Sequence, residues 1–266
     1  MRPARPPEDY HGWHDYVAPQ AGITSPYGVP EETQSTVAVI EPDPTALDEY
    51  LTNDKDVALV VMEPTGAHWG QFPVQNPDFL ESVREITKRH GVLMMMDEVV
   101  CGFRLSSGGA QGRYGIMPDI SSTAKVVAGG LPGGAVVGRA DLFDSMLDTD
   151  PASRFVHPGT FNANPVSAVA GIAALEIIKN EPVNERADMM ADRLKLGLSE
   201  ALSRQEVPGH IHGVSSILHV ALGVEGETND EGISQVPHDQ LAAATAGQKV
   251  EMLKVAMFNE GVDMFG

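Results

Sequence analysis

Val57-Ala58-Leu59-Val60-Val61-Met62, closing on Glu63-Pro64, and Val92-Leu93-Met94-Met95-Met96, closing on Asp97-Glu98, are the stretches whose reading decides the fold. Each is a continuous apolar run of strand length. Strands that are hydrophobic on both faces are buried on both faces, as in a parallel sheet covered by helices, whereas a half-exposed strand alternates. Between the two runs, Asn76-Pro77 supplies a helix cap and a proline at the first helical position. Phe79, Leu80, Val83 and Ile86 then recur at helical spacing. Lys88, Arg89 and His90 complement the negative end of the helix dipole, and Gly91 ends the helix. Strand, helix and strand make a βαβ unit, whose ligands bind beyond the carboxyl ends of the strands.

Further along, a glycine-rich loop (Gly108-Gly109-Ala110-Gln111-Gly112) and a polar segment lead to Lys125. Another apolar strand, Ala135-Val136-Val137, follows the turn from Gly129 to Gly134. Asn164-Pro165 opens a helix through about Ile178. Helical patterns then run from about Val183 to Arg204 and from about His238 to Asn259, with strand-like Ile217 to Leu222 between them. The acidic stretches from Glu41 to Asp56 and from Glu225 to Asp239 read as solvated surface. The expected architecture is α/β, with a mostly parallel central sheet flanked by helices over residues 1–180 and a smaller α/β unit over residues 181–266.

The 266 residues carry 18 Lys and Arg against 37 Asp and Glu, a formal net charge of −19. Phosphate backbones and anionic membranes are neutralised by clustered Lys and Arg, so neither nucleic acid nor a membrane surface is an expected partner. No apolar run approaches the roughly 18 residues of a membrane helix. Met1-Arg2-Pro3-Ala4-Arg5-Pro6-Pro7 lacks the apolar core of a signal peptide. A single cysteine, Cys101, excludes an internal disulfide and a multi-cysteine zinc site. The expected compartment is the cytoplasm.

Two residues stand out for chemistry. Asp97 ends an apolar strand, where α/β folds place ligands. Lys125 follows about one βα unit later, among small and apolar neighbours. Gly129 and Gly130 behind it allow another group to approach the backbone. Such surroundings disfavour the charged amine and favour the nucleophile. A carboxylate and a lysine at neighbouring strand ends suit pyridoxal 5'-phosphate, where the lysine forms a Schiff base and the carboxylate keeps the pyridine nitrogen protonated.

The ordered series Tyr10-His11-Gly12, Glu63-Pro64, Asp97-Glu98-Val99, Gly102-Phe103-Arg104, Gly108 to Gly112, Pro118-Asp119, Lys125 with Gly129 to Gly134, and Gly159-Thr160 with Asn164-Pro165 resembles the class III pyridoxal-phosphate-dependent aminotransferases. Within that family it looks most like the glutamate-1-semialdehyde 2,1-aminomutase branch. The resemblance implies fold-type I architecture and a catalytic pair of Lys125, as Schiff-base lysine and proton shuttle, and Asp97, as partner of the pyridinium. It also implies Val99 packed on one face of the cofactor ring, Tyr10 on the other with His11 in the same motif, and Thr160 reaching the phosphate of a partner subunit's cofactor in a homodimer. The partners so implied are a small-molecule amino donor and a carbonyl acceptor, whether the outcome is transamination or aminomutation.

Other readings of these residues are weaker. His11, His14 and Asp15 have the spacing of a partial metal site but no third ligand set by spacing, so no metal is expected. The glycines from 129 to 134 depart from the dinucleotide fingerprint and enclose a proline. Cys101 reads as a small buried hydrophobe. In the family, a phosphate-binding loop precedes the Tyr-His-Gly motif and a strand and helix follow the point where this chain stops, so the sequence reads as an internal piece. The alternative is an impaired fold acting as an interaction or structural module. Ala67-His68-Trp69-Gly70 departs from the family's commoner small or acidic residues and leaves the substrate open.

Overall fold

In the computed structural model, the residues described are 10–17, 27–67, 73–76, 78–146, 148, 150–245 and 248–263. The chain divides into two compact units. A sheet unit comprises Glu41–Pro64 and Pro77–Glu185, and a hairpin unit comprises Met1–Ile40, Thr65–Asn76 and Arg186–Gly266. On its carboxyl side the sheet unit ends at Glu185. The segments ending at Ile40 and Asn76 group with the carboxyl-terminal residues instead of with the sheet. One physical reason is visible in Gln75, whose Nε2 donates to the carbonyls of Ser234 (2.7 Å) and Val236 (2.5 Å). No local pattern displays a contact of that range.

The helices through the first strands are α1 (Glu31–Gln34), α2 (Pro44–Asn53), α3 (Phe79–His90), α4 (Gly109–Tyr114) and α5 (Ala140–Phe143). The sheet runs β1 (Leu59–Met62), β2 (Leu93–Glu98), β3 (Ile120–Ala124), β4 (Gly134–Gly138), in that spatial order. β1 and β2 are parallel, Leu59 opposite Leu93 through Met62 opposite Met96, and α3 is their crossover. β2 and β3 are also parallel, from Met95 opposite Ile120 to Glu98 opposite Thr123. β4 is antiparallel, an edge strand with Val136 and Val137 exposed. Its apolar run reads as a further strand, but direction depends on the connection. The chain returns through the 3-10 turn Lys125–Ala128 and glycines 129 to 134, too short for a parallel crossover.

The expected helix between the first strands is present with a shifted start. α3 begins at Phe79 after Asp78, and Pro77 lies outside the described residues. Its end is as expected. Gly91 is left-handed at φ 70° and donates to the Lys88 carbonyl, and the Val92 amide reaches Thr87. Phe79, Val83 and Ile86 are buried on one face, and Met94 and Met96 of β2 are fully enclosed. α2 is capped by Asp43, whose Oδ1 accepts the Ala46 amide. Its Asp48 pairs with Arg89 and His90 at the end of α3.

Asp119, just before β3, joins three elements. Its carboxylate accepts from Arg84 Nη1 (2.7 Å), Arg139 Nη1 (2.8 Å) and the Met94 amide (2.9 Å). Burial pushes its carboxyl up, but the amide and the two guanidinium groups outweigh that and hold it down at about 2.

α6 (Pro165–Asn180) is capped by Asn164, whose Oδ1 accepts the Val166 and Ser167 amides, and α7 spans Val183–Arg204. The hairpin unit pairs β5 (Gly209–His212) with β6 (His219–Leu222) in antiparallel register. Ala221 of β6 packs with Val236 and Leu241 in a small core. The helical pattern over 238–259 resolves as α8 (His238–Thr245) and α9 (Gln248–Asn259), and Ala246 and Gly247 lie outside the described residues. Among the described residues, no helix is long and apolar enough to cross a membrane.

Candidate active site

The carboxyl ends of β1, β2 and β3 bring Glu63, Asp97, Glu98 and Lys125 to one edge of the sheet. Asp97 and Glu98 are the last two residues of β2 rather than residues beyond it, so the ladder holds their backbones rigidly. Asp97 is 5% exposed. Its Oδ1 accepts from Ser122 Oγ on the facing strand and from the Val99 amide, both at 3.1 Å. A buried carboxylate supplied with donors in this way keeps its position.

Lys125 follows β3 three residues after Ser122, the cross-strand partner of Asp97. Its backbone lies in the left-handed region at φ 53°, a costly conformation for a side chain without a local hydrogen-bonding group and one that gathers at functional sites. Its amine loses protons more readily than a free lysine's. Partial burial is the main cause and the positive Arg104 the second, opposed by the negative Asp97. Arg104 is held by the bond from its Nη1 to the Val100 carbonyl (2.6 Å), and burial lowers its own proton affinity too.

The glycines behind Lys125 serve close packing. Gly129 is left-handed at φ 62°, and a Cβ there would lie 2.3 Å from the Ala170 carbonyl oxygen of α6. A Cβ on Gly171 would lie 2.4 Å from the Val127 carbonyl oxygen. Ser167 Oγ adds a bond to the Pro132 carbonyl. α6 therefore presses backbone to backbone on the turn that carries Lys125, which is the close approach its glycines suggest.

Glu98 was not singled out by the sequence patterns, yet it organises this edge. At 2% exposure its Oε2 accepts the Ala110 amide (2.6 Å), and its Oε1 accepts Gln111 Nε2 (2.8 Å) and Ser121 Oγ (3.4 Å). Gly109 is left-handed at φ 66°, and a Cβ there would stand 2.1 Å from Oε2. At Gly102 a Cβ would stand 2.6 Å from the Glu98 carbonyl oxygen. The signal was the pair of glycine clusters after an acidic strand end. Cys101, enclosed beside these acids, has its thiol pushed far up by burial and by Glu63, Glu98 and Asp97, so it is an inert core residue.

The other candidate residues are spread over both units. Val99 is partly buried, with its amide on Asp97. Thr160 lies exposed in the turn before α6, next to Phe161. Tyr10 and His11 belong to the hairpin unit, where Tyr10 packs edge to face on Trp13 at 5.5 Å. His68, Trp69 and Gly70 lie outside the described residues.

A search of curated proteins finds a glutamate-1-semialdehyde 2,1-aminomutase of Sulfolobus acidocaldarius, 34% identical over 83% of this chain and 54% of its own. The chain thus spans about half the length of the curated relatives it matches. Among solved structures, an omega-transaminase from Sphaerobacter thermophilus superposes with a TM-score of 0.76 at 28% identity, covering 97% of this chain and 61% of that one. A transaminase with PLP bound superposes at 0.77, also at 28% identity, with 97% and 59% covered. The architecture of these neighbours agrees with the mostly parallel sheet and flanking helices of this chain. The family model for class-III aminotransferases matches residues 6–259, and the chain belongs to that family.

Proposed function

We propose that the enzyme containing this chain transfers an amino group with pyridoxal 5'-phosphate, held covalently at Lys125 and through its ring nitrogen by Asp97. The observation that carries the reading is the pairing of a buried, donor-supplied carboxylate on β2 with a lysine of lowered proton affinity just beyond β3. These residues fit the ring half of the cofactor, which when bound supplies an electron sink for substrate carbanions. Asp97 keeps a negative charge against the ring nitrogen, and Ser122 and the Val99 amide fix its carboxylate. Lys125 binds as the neutral amine and, once released by an amino substrate, holds or moves a proton at Nζ. Its lowered proton affinity raises the fraction of base near neutrality.

In the same reading, Val99 lies against one ring face, Tyr10 and His11 serve the other, and Thr160 contacts a phosphate across a homodimer interface. Support for self-association comes from the exposed apolar side chains Phe161, Val166, Val169 and Ile172 on and before α6. The large cofactor-binding part extends to about residue 180 and the smaller part follows. The substrates are an amino donor and a carbonyl acceptor, transaminated between two molecules or exchanged within one. The compartment is the cytoplasm, where the lone buried Cys101 stays reduced.

The test is direct. Purified chain mixed with pyridoxal phosphate gains a near-visible absorption band, and borohydride then fixes the cofactor's mass on the peptide containing Lys125. Lys125→Ala abolishes the band and the label. A chain that stays unlabelled, or one labelled equally after Lys125→Ala, overturns the reading and leaves an interaction or structural module.

A further inference from the structure

Beyond the carboxyl end of β2 the chain turns through residues 99–108 before α4 begins. Arg104 stands in that turn, and its backbone is held from several sides. The Gly102 amide donates to the Glu98 carbonyl and the Arg104 amide to the Cys101 carbonyl, both at 3.0 Å. Asn184 Nδ2, in the first turn of α7, donates to the carbonyls of Phe103 (2.8 Å) and Arg104 (3.1 Å). Between these bonds Phe103 is kept left-handed at φ 63°, an uncommon and costly conformation for a bulky side chain. Such a conformation persists only where its surroundings over-determine it, and here its product is the placement of Arg104.

The side chain of Arg104 folds back toward the strand end, where its Nη1 donates to the Val100 carbonyl at 2.6 Å. Glu98 is the ladder partner of Thr123, and Val100 and Lys125 each come two residues later in their chains. The guanidinium is thereby anchored just past β2 at the place along the sheet where Lys125 follows β3. Its charge is felt there, as the second cause, after burial, of the lowered proton affinity of Lys125.

Arg104 is partly buried, and among the described residues it has no carboxylate partner: the bond to Val100 is the one its side chain makes. Other arginines of the same unit are paired. Arg84 and Arg139 meet Asp119, and Arg89 meets Asp48. A guanidinium withdrawn from water without a counter-charge is unfavourable, and burial lowers the proton affinity of Arg104 accordingly. The Val100 carbonyl takes up one of five N–H donors. What remains is a planar fork beside the reactive lysine, and a fork of that shape gives a carboxylate two parallel bonds. The single charge also matches a carboxylate, whereas a phosphate is met by several donors, as at a helix amino terminus.

We propose that Arg104 is a specificity-determining residue: its guanidinium pairs with a carboxylate of the substrate beside Lys125, favouring amino and oxo acids over amines and carbonyls that lack one. The assignment rests on the amino-transfer reading of Lys125 and Asp97.

Two measurements on the full chain test it. In the first, chain loaded with pyridoxal phosphate is mixed with aminooxyacetate or with O-methylhydroxylamine, two carbonyl reagents of which only the former carries a carboxylate. The rate at which each removes the near-visible band is divided by its rate with free pyridoxal phosphate. The net charge of −19 works against the anion, so a preference for it arises locally. That preference is expected to be roughly tenfold or more, the worth of a charge-assisted pair. It disappears in Arg104→Gln and is partly kept in Arg104→Lys, which retains the charge without the fork.

The second measurement needs no cofactor. The Arg104 Nε–Hε signal, assigned by its absence from whichever of the two variants folds, is followed by NMR at constant ionic strength. Sodium glutarate moves it and uncharged glutaramide does not. A signal that glutarate leaves in place overturns the proposal, as does a reagent preference that is equal in the wild-type chain and Arg104→Gln. Inorganic phosphate that moves the signal at lower concentration than glutarate also overturns it, by assigning Arg104 to the phosphate of the cofactor. A chain that forms no band ends the amino-transfer reading instead, and the glutarate titration then decides by itself whether Arg104 takes a carboxylate.

Discussion

The carboxyl edge of the β1–β3 sheet and the β5–β6 hairpin both bury titratable side chains, and they do so by opposite means. At the sheet edge Asp97 and Glu98 are each surrounded by donors. Asp97 has Ser122 and the Val99 amide, and Glu98 has Ala110, Gln111 and Ser121. In the hairpin the rings of His210, His212 and His219 stack on one another, and burial lowers their proton affinity. A charge kept inside a protein needs fixed dipoles or counter-charges. The sheet edge accordingly fixes its carboxylates with donors, whereas burial makes the rings of the hairpin harder to protonate.

The largest effect comes from taking a charge away from a partner left behind. Asp119→Ala strands Arg84, whose side chain is only 10% exposed, and frees the Met94 amide. Loss of one partner of such a pair costs about 3–5 kcal/mol. Urea unfolding of the sheet unit should show a loss of that size; a loss under about 1 kcal/mol would mean the buried pair contributes little.

Gly109→Ala comes next. It combines a left-handed backbone with a methyl group driven into Glu98 Oε2, so Glu98 must leave at least one of its donors. A cost of about 2–4 kcal/mol is expected from the strain and the unmet hydrogen bond. Pairing it with Glu98→Ala in a double-mutant cycle checks the assignment, because the two costs should fall short of additive.

Acid separates the two regions. Asp119 has its folded value held at about 2 against an ordinary 3.8, so its stabilisation is complete above 3.8 and vanishes as pH falls through 2, amounting to about 2 kcal/mol. The histidine stack loses stability earlier, between 6.5 and about 4. A pH series of amide exchange should therefore show the hairpin peptides opening before those of β1 to β3. Simultaneous opening would erase the distinction drawn between the regions.

Much of the sheet unit is legible in the amino-acid sequence because its signals are local. The apolar runs of β1 and β2, Gly91 after α3, and Asn164-Pro165 before α6 each act over a few residues and appear in the structure where the pattern puts them, to within a residue or two. Asp97 and Lys125 are legible by position at strand ends, and Ser122 follows only from the parallel register. What escapes the sequence is non-local. The antiparallel sense of β4 depends on a short return, the work of Glu98 depends on residues twelve and thirteen positions away, and the Gln75 bonds span some 160 residues. The histidine stack shows why register matters most. His210 and His212 alternate visibly, but His219 joins them only through pairing across the hairpin, and at other registers the same residues would be ordinary surface histidines.

The smallest effects make the sharpest comparison, because they delete one oxygen from each region. Ser122→Ala removes a 3.1 Å bond to the Asp97 carboxylate, and Ser234→Ala removes the hydroxyl 2.9 Å from His210. Each should cost about 1 kcal/mol in stability, the ordinary worth of a hydrogen bond in a folded chain. Their functional consequences should separate. If Asp97 carries the pyridinium, loosening its carboxylate weakens pyridoxal phosphate binding by about fivefold, the equivalent of about 1 kcal/mol, as read from titration of the absorption band. Ser234→Ala should leave that affinity unchanged while weakening the amide protection of peptide 73–76, since Ser234 shapes the turn that holds Gln75. Equal losses of cofactor affinity in both variants would mean that the loss does not come through the Asp97 carboxylate.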